Sequence, residues 1–258
     1  MESRVNVNGV SLYYEEYGEG KDLVLVHPAP LDGGAWLFQT EYLAERFHVI
    51  VYDQRCFGAS DKPTSPFEIS EYGADLNALI AALGLRRPHV VGLSLGGIAA
   101  QFSVLANPDA VDKVVLASTL SNTLNSRTIQ ERVRRLRSEG VTGYFRQAIE
   151  SLFSPMFLSS KVAEYFIQTY LERSSKLSAE SVVRCYEALS RLDITERLRF
   201  VNAPTLVIAG TKDYAYRDTR KIAEMIPKAK YAEFQGCGHL VQIEDPVGFN
   251  RAVLSFLG

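Results

Sequence analysis

The chain is poor in cysteine and histidine and has no surplus of positive charge. Its 258 residues include three cysteines, four histidines and one tryptophan, and 28 Lys and Arg stand against 30 Asp and Glu for a net charge of -2. Cys56, Cys185 and Cys237 are odd in number and far apart. That excludes a disulfide framework or a clustered zinc pattern, and free buried thiols are expected. Without a basic surplus there is no field to hold a nucleic-acid backbone, so the expected partner is a small molecule and not a nucleic acid. No stretch approaches the roughly eighteen apolar residues of a membrane span. The opening MESRVNVNGVSLYYEE carries no apolar signal core. A soluble, cytoplasmic protein with no membrane partner is therefore expected. Repeats, low-complexity tracts and disordered linkers are missing as well.

What the chain does have is apolar residues, 47% of the total against 22% charged, which suits one globular domain or a domain with an insertion. DLVLVH (22 to 27), HVIVYD (48 to 53), HVVGLS (89 to 94), KVVLAS (113 to 118) and TLVIAG (205 to 210) are rich in Val, Ile and Leu without alternation. Strands covered on both faces read this way, so they are expected to form one parallel sheet. EYGADLNALIAALG (71 to 84) and LGGIAAQFSVLA (95 to 106) repeat apolar residues at three and four, giving strand-helix-strand units. The segments RVNVNG and SLYYEEY alternate around Asn8-Gly9, a hairpin signal, so an antiparallel edge is expected to open the sheet.

From about Asn122 to Thr195 the strand rhythm stops. RTIQERVRRLRSEG, TGYFRQAIESLF, SKVAEYFIQTYLERS and SAESVVRCYEALSRL are helical in period, and the α/β pattern resumes at Ala203. The expected organisation is a core of residues 1–121 and 196–258 with a helical cap inserted at 122–195. The cap holds eleven Lys and Arg against eight Asp and Glu. Its run Arg132, Arg134, Arg135, Arg137 reads as a solvated helix face rather than a substrate clamp.

Gly92-Leu93-Ser94-Leu95-Gly96 is a G-x-S-x-G match between the strand HVVGL and a helix starting near Leu95. A serine on a sharp strand-to-helix turn is strained, projects its Oγ outward and needs small neighbours where backbone meets backbone. Gly92, Gly96 and Gly97 meet that need, and the helix aims its unpaired N–H groups at the same place. Ser94 is therefore the candidate nucleophile. A hydroxyl attacks only after a base takes its proton, so a histidine is required. His27, His48 and His89 sit at strand ends, the last two at the edge opposite the one where open-sheet sites lie. His239, in the glycine-rich loop QGCGHLVQIEDP after the strand AKYAEFQ, is left as the base. Asp213, directly after TLVIAG, is the leading partner for its imidazole and keeps the chain order Ser, Asp, His. Asp218 is less well placed, and Asp53 reads as a tie between loop backbones.

Taken together, His27 with its following loop, DQRCFGAS, GLSLGG, GTKD and GCGHLVQIEDP resemble the α/β-hydrolase superfamily over essentially the whole chain. Cys56 stands where the D-x-R-G-x-G-x-S pattern has glycine. GLSLGGIAAQ, CYEALSRLDITERL and APTLVIAG are similar to 3-oxoadipate enol-lactonases and related carboxylesterases. The resemblance implies an α/β fold with a mostly parallel sheet, flanking helices and a helical cap. It also implies hydrolysis of an ester or lactone through an acyl-enzyme, with no metal or organic cofactor. The oxyanion donors it implies are the N–H groups of Leu95 and Ala29. Pro28 replaces the family's glycine after the histidine, and because Pro28 and Pro30 lack an N–H, Ala29 offers the one donor between His27 and Leu31.

Two other readings stay open: a non-hydrolytic or carbon-carbon-cleaving enzyme on the same triad, such as a perhydrolase, and a hormone-receptor-like ligand binder. Serine at 94, rather than aspartate or cysteine, argues against dehalogenase, epoxide hydrolase and dienelactone hydrolase chemistry. The cap's aromatics, among them Tyr144, Phe153 and Phe157, are expected to wall an apolar pocket. Trp36 is a candidate for the acyl side, set against plain packing. A homodimer is compatible with the sequence.

Overall fold

Asn8 and Gly9 both take left-handed backbone angles, φ 46° and 76°, which is the turn that joins two strands in a tight hairpin. They connect β1 (Ser3–Val7) to β2 (Val10–Tyr17), with Val7 opposite Val10. In this computed structural model, which describes residues 3–123 and 126–258, that antiparallel hairpin forms one edge of an eight-stranded sheet. The other strands are β3 (Lys21–Val26), β4 (Phe47–Tyr52), β5 (His89–Leu93), β6 (Val114–Ala117), β7 (Thr205–Gly210) and β8 (Lys230–Phe234). Their order is β1-β2-β4-β3-β5-β6-β7-β8, antiparallel as far as β4 and parallel beyond it. Every residue of β5, β6 and β7 is buried, which is why these strands read as unbroken apolar runs. The helices α1 (Thr40–Ala44), α2 (Glu71–Ala82) and α3 (Leu95–Ala106) connect the first strands.

The parallel register decides where the site can be. Val26 lies opposite Gly92, Leu93 opposite Ala117, Ala117 opposite Ile208 and Gly210 opposite Phe234. The loops leaving β3, β5, β6, β7 and β8 therefore emerge along one edge of the sheet, the carboxyl edge where open α/β sheets bind ligands.

Between Ala117 and Thr205 the chain leaves the sheet. It runs through α4 (Ser126–Ala148), α5 (Pro155–Leu158), α6 (Lys161–Ser174) and α7 (Ala179–Leu189). The two helical segments that the sequence suggests before Phe153 are both present within α4, parted at Gly140, whose φ of 70° is not helical. The side chain of Ser160 accepts from the Ala163 N–H and starts α6. At the neck of the excursion the Thr123 N–H donates to the Leu192 carbonyl (2.7 Å) and the Ile194 N–H to the Ser121 carbonyl (2.8 Å). Residues 124 and 125, within the expected cap span, lie outside the described residues. Arg173 on α6 pairs with Asp32 of the core, and Arg191 reaches Glu68 (3.1 Å) and the Phe67 carbonyl (3.0 Å). The chain then returns through β7, α8 (Tyr216–Met225), β8, α9 (Val241–Glu244) and α10 (Pro246–Leu257). No helix among the described residues is long and apolar enough to cross a membrane.

The three cysteines are free and buried. Cys56, where the resembled pattern has glycine, takes a left-handed backbone with φ 73°, a conformation that glycine adopts readily. Next to it, Arg55 is buried and grips Asp75 with both Nε (2.6 Å) and Nη2 (2.8 Å), while also meeting Glu71. This fork holds the loop after β4 against α2.

His89, the first residue of β5, is 4% exposed, edges onto the Phe47 ring, and its Nδ1 has no hydrogen-bond partner among the described residues. Burial pushes its pKa down from 6.5 to about 4, with Asp112 opposing the shift. The unfolded chain thus takes up this proton first as pH falls, so the histidine adds stability above 6.5 that drains away towards pH 4. His89→Gln should flatten the dependence of the urea midpoint on pH in that window by on the order of 2 kcal/mol. Equal slopes for the two proteins would refute the assignment.

Candidate active site

Ser94 directly follows β5 and is the N-cap residue of α3, with φ 55° and ψ -114°, a conformation L-residues avoid. The surrounding backbone holds it there. Its N–H donates to the Ala117 carbonyl (2.9 Å), while its carbonyl accepts from Ile98 N–H (3.0 Å) and Thr119 Oγ1 (2.7 Å). The glycines of the motif are needed for clearance. A Cβ on Gly92 would lie 2.3 Å from the Gly96 carbonyl oxygen, and one on Gly96 would lie 2.0 Å from that of Val26.

The loops after β7 and β8 bring the other two candidates to the same point. His239 Nε2 lies 2.9 Å from Ser94 Oγ, and its Nδ1 lies 2.9 Å from Asp213 Oδ1. Because a carboxylate can only accept, Nδ1 carries the proton and Nε2 is left to accept from the serine hydroxyl. Asp213 is buried, and burial alone would raise its pKa. The charge and hydrogen bond of His239, the Ala215 N–H (2.8 Å) and the Ser118 hydroxyl outweigh that and hold the carboxyl below the usual range. The His239 N–H donates to the Leu152 carbonyl (2.9 Å), while Glu244 accepts from Gly238 N–H (2.9 Å) and Ser154 N–H (3.0 Å). The histidine loop is therefore tied directly to the helical excursion. The Tyr214 ring stacks on His239 at 4.5 Å, with its hydroxyl 3.3 Å from Nε2.

The other histidines have different attachments. His27 accepts from the Gln54 N–H through Nε2 (2.9 Å), which leaves Nδ1 to donate to the Pro28 carbonyl (2.9 Å). That carbonyl also accepts from Leu31 N–H (3.0 Å), closing the His-Pro-Ala-Pro turn. His48 faces Asp22 at 3.0 Å, away from Ser94. Asp53 accepts from Gly33 N–H and Ala59 N–H, each at 2.7 Å, and so ties two loops together as its sequence position suggests. Asp218 lies within α8.

A cavity of about 50 Å³ adjoins Ser94. Ala29 and Leu95 both line it, and neither backbone N–H makes a hydrogen bond among the described residues. Its other walls are Ile98, Leu120, Thr123, Ile129, Arg132, Tyr186, Leu189 and Tyr214.

The aromatics expected to form those walls are elsewhere, which corrects the sequence reading. Trp36 is fully buried against Phe249. Phe153 stacks on Phe157 (4.8 Å) and edges onto Phe166 (5.6 Å), and Tyr144 packs on Phe145 and behind Tyr186. None of Trp36, Tyr144, Phe153 and Phe157 lines the cavity. A helical excursion with no sheet beneath it must build its own core, and large aromatics bury the most area in doing so. The sequence reading missed Arg132, Tyr186 and Tyr214. Tyr214 had a signal, an aromatic directly after Asp213, whereas Tyr186 had none. The Arg run is also corrected in part. Arg134 pairs with Glu131, Arg135 with Glu139 and Arg137 with Glu187, but Arg132 turns inward.

The pattern of the Alpha/beta hydrolase family matches residues 23–252. The chain is 28% identical to 3-oxoadipate enol-lactonase 2 of Acinetobacter baylyi over 95% of its length and 92% of the relative's. It is 27% identical to the non-heme chloroperoxidase CPO-A1 of Kitasatospora aureofaciens, over 97% of both chains. Among solved structures, the enol-lactonase from Burkholderia xenovorans LB400 superposes with a TM-score of 0.94 at 25% identity, over 99% of each chain. With the family pattern running from the third strand to the last helix, and the same backbone recurring in solved relatives, this chain is a member of the alpha/beta hydrolase family.

Proposed function

We propose that this hydrolase cleaves a small carboxylic ester or lactone with Ser94 as nucleophile, His239 as general base and acid, and Asp213 as the anion that orients the histidine. The observation that carries the reading is the unbroken chain Asp213–His239–Ser94, 2.9 Å at each link, ending on a serine in strained backbone. Ser94 Oγ adds to the carbonyl carbon as its proton passes to His239 Nε2. The oxyanion formed is met by the N–H groups of Ala29 and Leu95, each such donor contributing about 3 kcal/mol to the transition state. His239 then returns the proton to the departing alkoxide, the carbon-oxygen bond breaks and the acyl group stays on Ser94. Water, deprotonated by the same histidine, adds to the acyl carbon and releases the acid and the free serine.

The helical excursion acts as the cap over this site. A cavity of about 50 Å³ has room for roughly four waters, so the cap yields to admit an ester. The wider cleft of about 760 Å³, lined by Asp32, Gly33 and Arg173 among others, lies where the cap meets the core.

The likeness to a chloroperoxidase supports a second activity, in which hydrogen peroxide intercepts the same acyl-enzyme and leaves as a peracid. Incubation with a fluorophosphonate followed by peptide mass mapping tests both readings, because both need the activated serine. The expected result is a single adduct on Ser94 with loss of hydrolysis of p-nitrophenyl butyrate. No adduct, or an adduct elsewhere with activity retained, would remove the assignment.

A further inference from the structure

Two hydroxyls meet His239 Nε2, Ser94 Oγ at 2.9 Å and that of Tyr214 at 3.3 Å. Only the first becomes the nucleophile. Tyr214 is the middle residue of the turn after β7. The Asp213 carboxylate accepts from the Ala215 N–H (2.8 Å) and the Asp213 carbonyl from the Tyr216 N–H (3.1 Å), so the tyrosine is fixed by the same residue that holds His239. Its ring lies on the imidazole, with centroids 4.5 Å apart and planes 24° from parallel. A nearly parallel ring brings its hydroxyl to Nε2 from over the imidazole face, whereas the lone pair of the nitrogen lies in the ring plane. Ser94 takes that lone pair, and the Tyr214 hydroxyl stands beside it. The side chain of Arg132 can only donate and interacts with the Tyr214 hydroxyl, which leaves the phenol proton for an acceptor near Nε2. Tyr214 lines the cavity of Ala29, Ser94 and Leu95 and is itself 43% exposed, so it borders both the site and solvent.

When the tetrahedral intermediate collapses, negative charge develops on the leaving oxygen, which must lie within reach of the Nε2–H that protonates it. Two donors 3.3 Å apart can both meet one oxygen at hydrogen-bond distance. We propose that the Tyr214 hydroxyl donates to the leaving oxygen beside His239 Nε2–H, so that this enzyme expels the strongly basic alkoxides of unactivated alkyl esters and saturated lactones. The phenol keeps its own proton throughout. As the carbon-oxygen bond breaks, its electron pair stays on the oxygen, the Nε2 proton moves to that oxygen, and the alcohol departs from the Tyr214 hydrogen bond. Water enters the same place for the second half of the reaction, accepting from Tyr214 while giving its proton to Nε2. A nitrophenolate or enolate spreads the charge over its own π system and gains less from a second donor. The inference rests on the serine-esterase reading of the same site.

The test uses four butyrate esters that differ only in the basicity of the leaving group, rising from p-nitrophenyl through phenyl and trifluoroethyl to ethyl. Hydrolysis is followed by pH-stat, and kcat/KM reports the acylation half of the reaction. The native enzyme should hydrolyse all four. Tyr214→Phe keeps the ring on His239 and removes the donor. It should lower kcat/KM for ethyl butyrate about thirtyfold more than for the p-nitrophenyl ester, with the other two in between. An equal loss on all four overturns the inference, because Tyr214 would then act only by placing His239, and the absence of any loss overturns it as well. So does native hydrolysis of the p-nitrophenyl ester without that of ethyl butyrate. Each of these results leaves the esterase reading intact. Hydrolysis of none of the four, with no fluorophosphonate adduct on Ser94, removes that reading and this inference together.

Discussion

Ser94→Ala should lower kcat for any ester the native protein hydrolyses by about a million-fold, leaving a residual rate due to binding and the oxyanion donors alone. The size follows from the arrangement. Ser94 Oγ lies 2.9 Å from His239 Nε2, nearer than the Tyr214 hydroxyl at 3.3 Å, and alanine removes the hydroxyl whose proton the histidine would take. The fold should survive, because the Ser94 backbone is held by its bonds to Ala117, Ile98 and Thr119, and the hydroxyl takes no part in them. The comparison of interest is Ser94→Gly, equally inactive but free of the penalty a Cβ pays at φ 55°. It should be more stable than Ser94→Ala by about 1 kcal/mol, visible as a higher urea midpoint. Activity within tenfold of native in either variant would end the nucleophile assignment.

Asp213→Asn is expected to cost about 10⁴-fold in kcat while changing KM little. The amide can donate its NH₂ to His239 Nδ1, which stabilises the tautomer with the proton on Nε2. That nitrogen then faces Ser94 as a donor and cannot take its proton. The same substitution has a signature in stability. Because His239, Ala215 and Ser118 hold the native Asp213 carboxyl below its ordinary range, the unfolded chain binds the proton first as pH falls. The carboxylate therefore adds stability above the unfolded pKa, and that contribution is lost as pH falls through the folded one. Asp213→Asn should remove this part of the acid dependence, which parallel urea titrations of the two proteins from pH 6 to pH 3 would measure. A variant with native kcat would show that another group orients the histidine.

The sheet, the hairpin at Asn8-Gly9 and the three residues Ser94, Asp213 and His239 were legible because each depends on short-range chemistry. A strand buried on both faces must be apolar at every position, and Asn-Gly accepts positive φ at low cost. A serine elbow needs glycine wherever a Cβ would strike a carbonyl, as at Gly92 and Gly96. With four histidines in the chain, the position of each relative to a strand end was enough to leave His239. The expected donor Ala29 came from the family resemblance, with Pro28 and Pro30 leaving it the one N–H between His27 and Leu31, and the structure brings it to the cavity beside Leu95.

The walls of that cavity were not legible. Tyr144, Phe153, Phe157 and Trp36 have the composition of a pocket, but composition does not say whether an aromatic faces a ligand or another aromatic. In the folded chain Trp36, Tyr144 and Phe153 are buried in a core and half-buried Phe157 stacks on Phe153, because that is where their area removes most water. Arg132 and Arg134 stand two residues apart in one charged run, and only the rotation of α4 against the core sends one to the cavity and the other to Glu131. The sequence by itself determined the sheet, its carboxyl edge and the three side chains that meet there, since period, turn chemistry and chain order act over a few residues. The tertiary structure alone decided the shape and charge of what faces Ser94. Which side of a helix is turned inward depends on every surface it packs against, and no local pattern contains that.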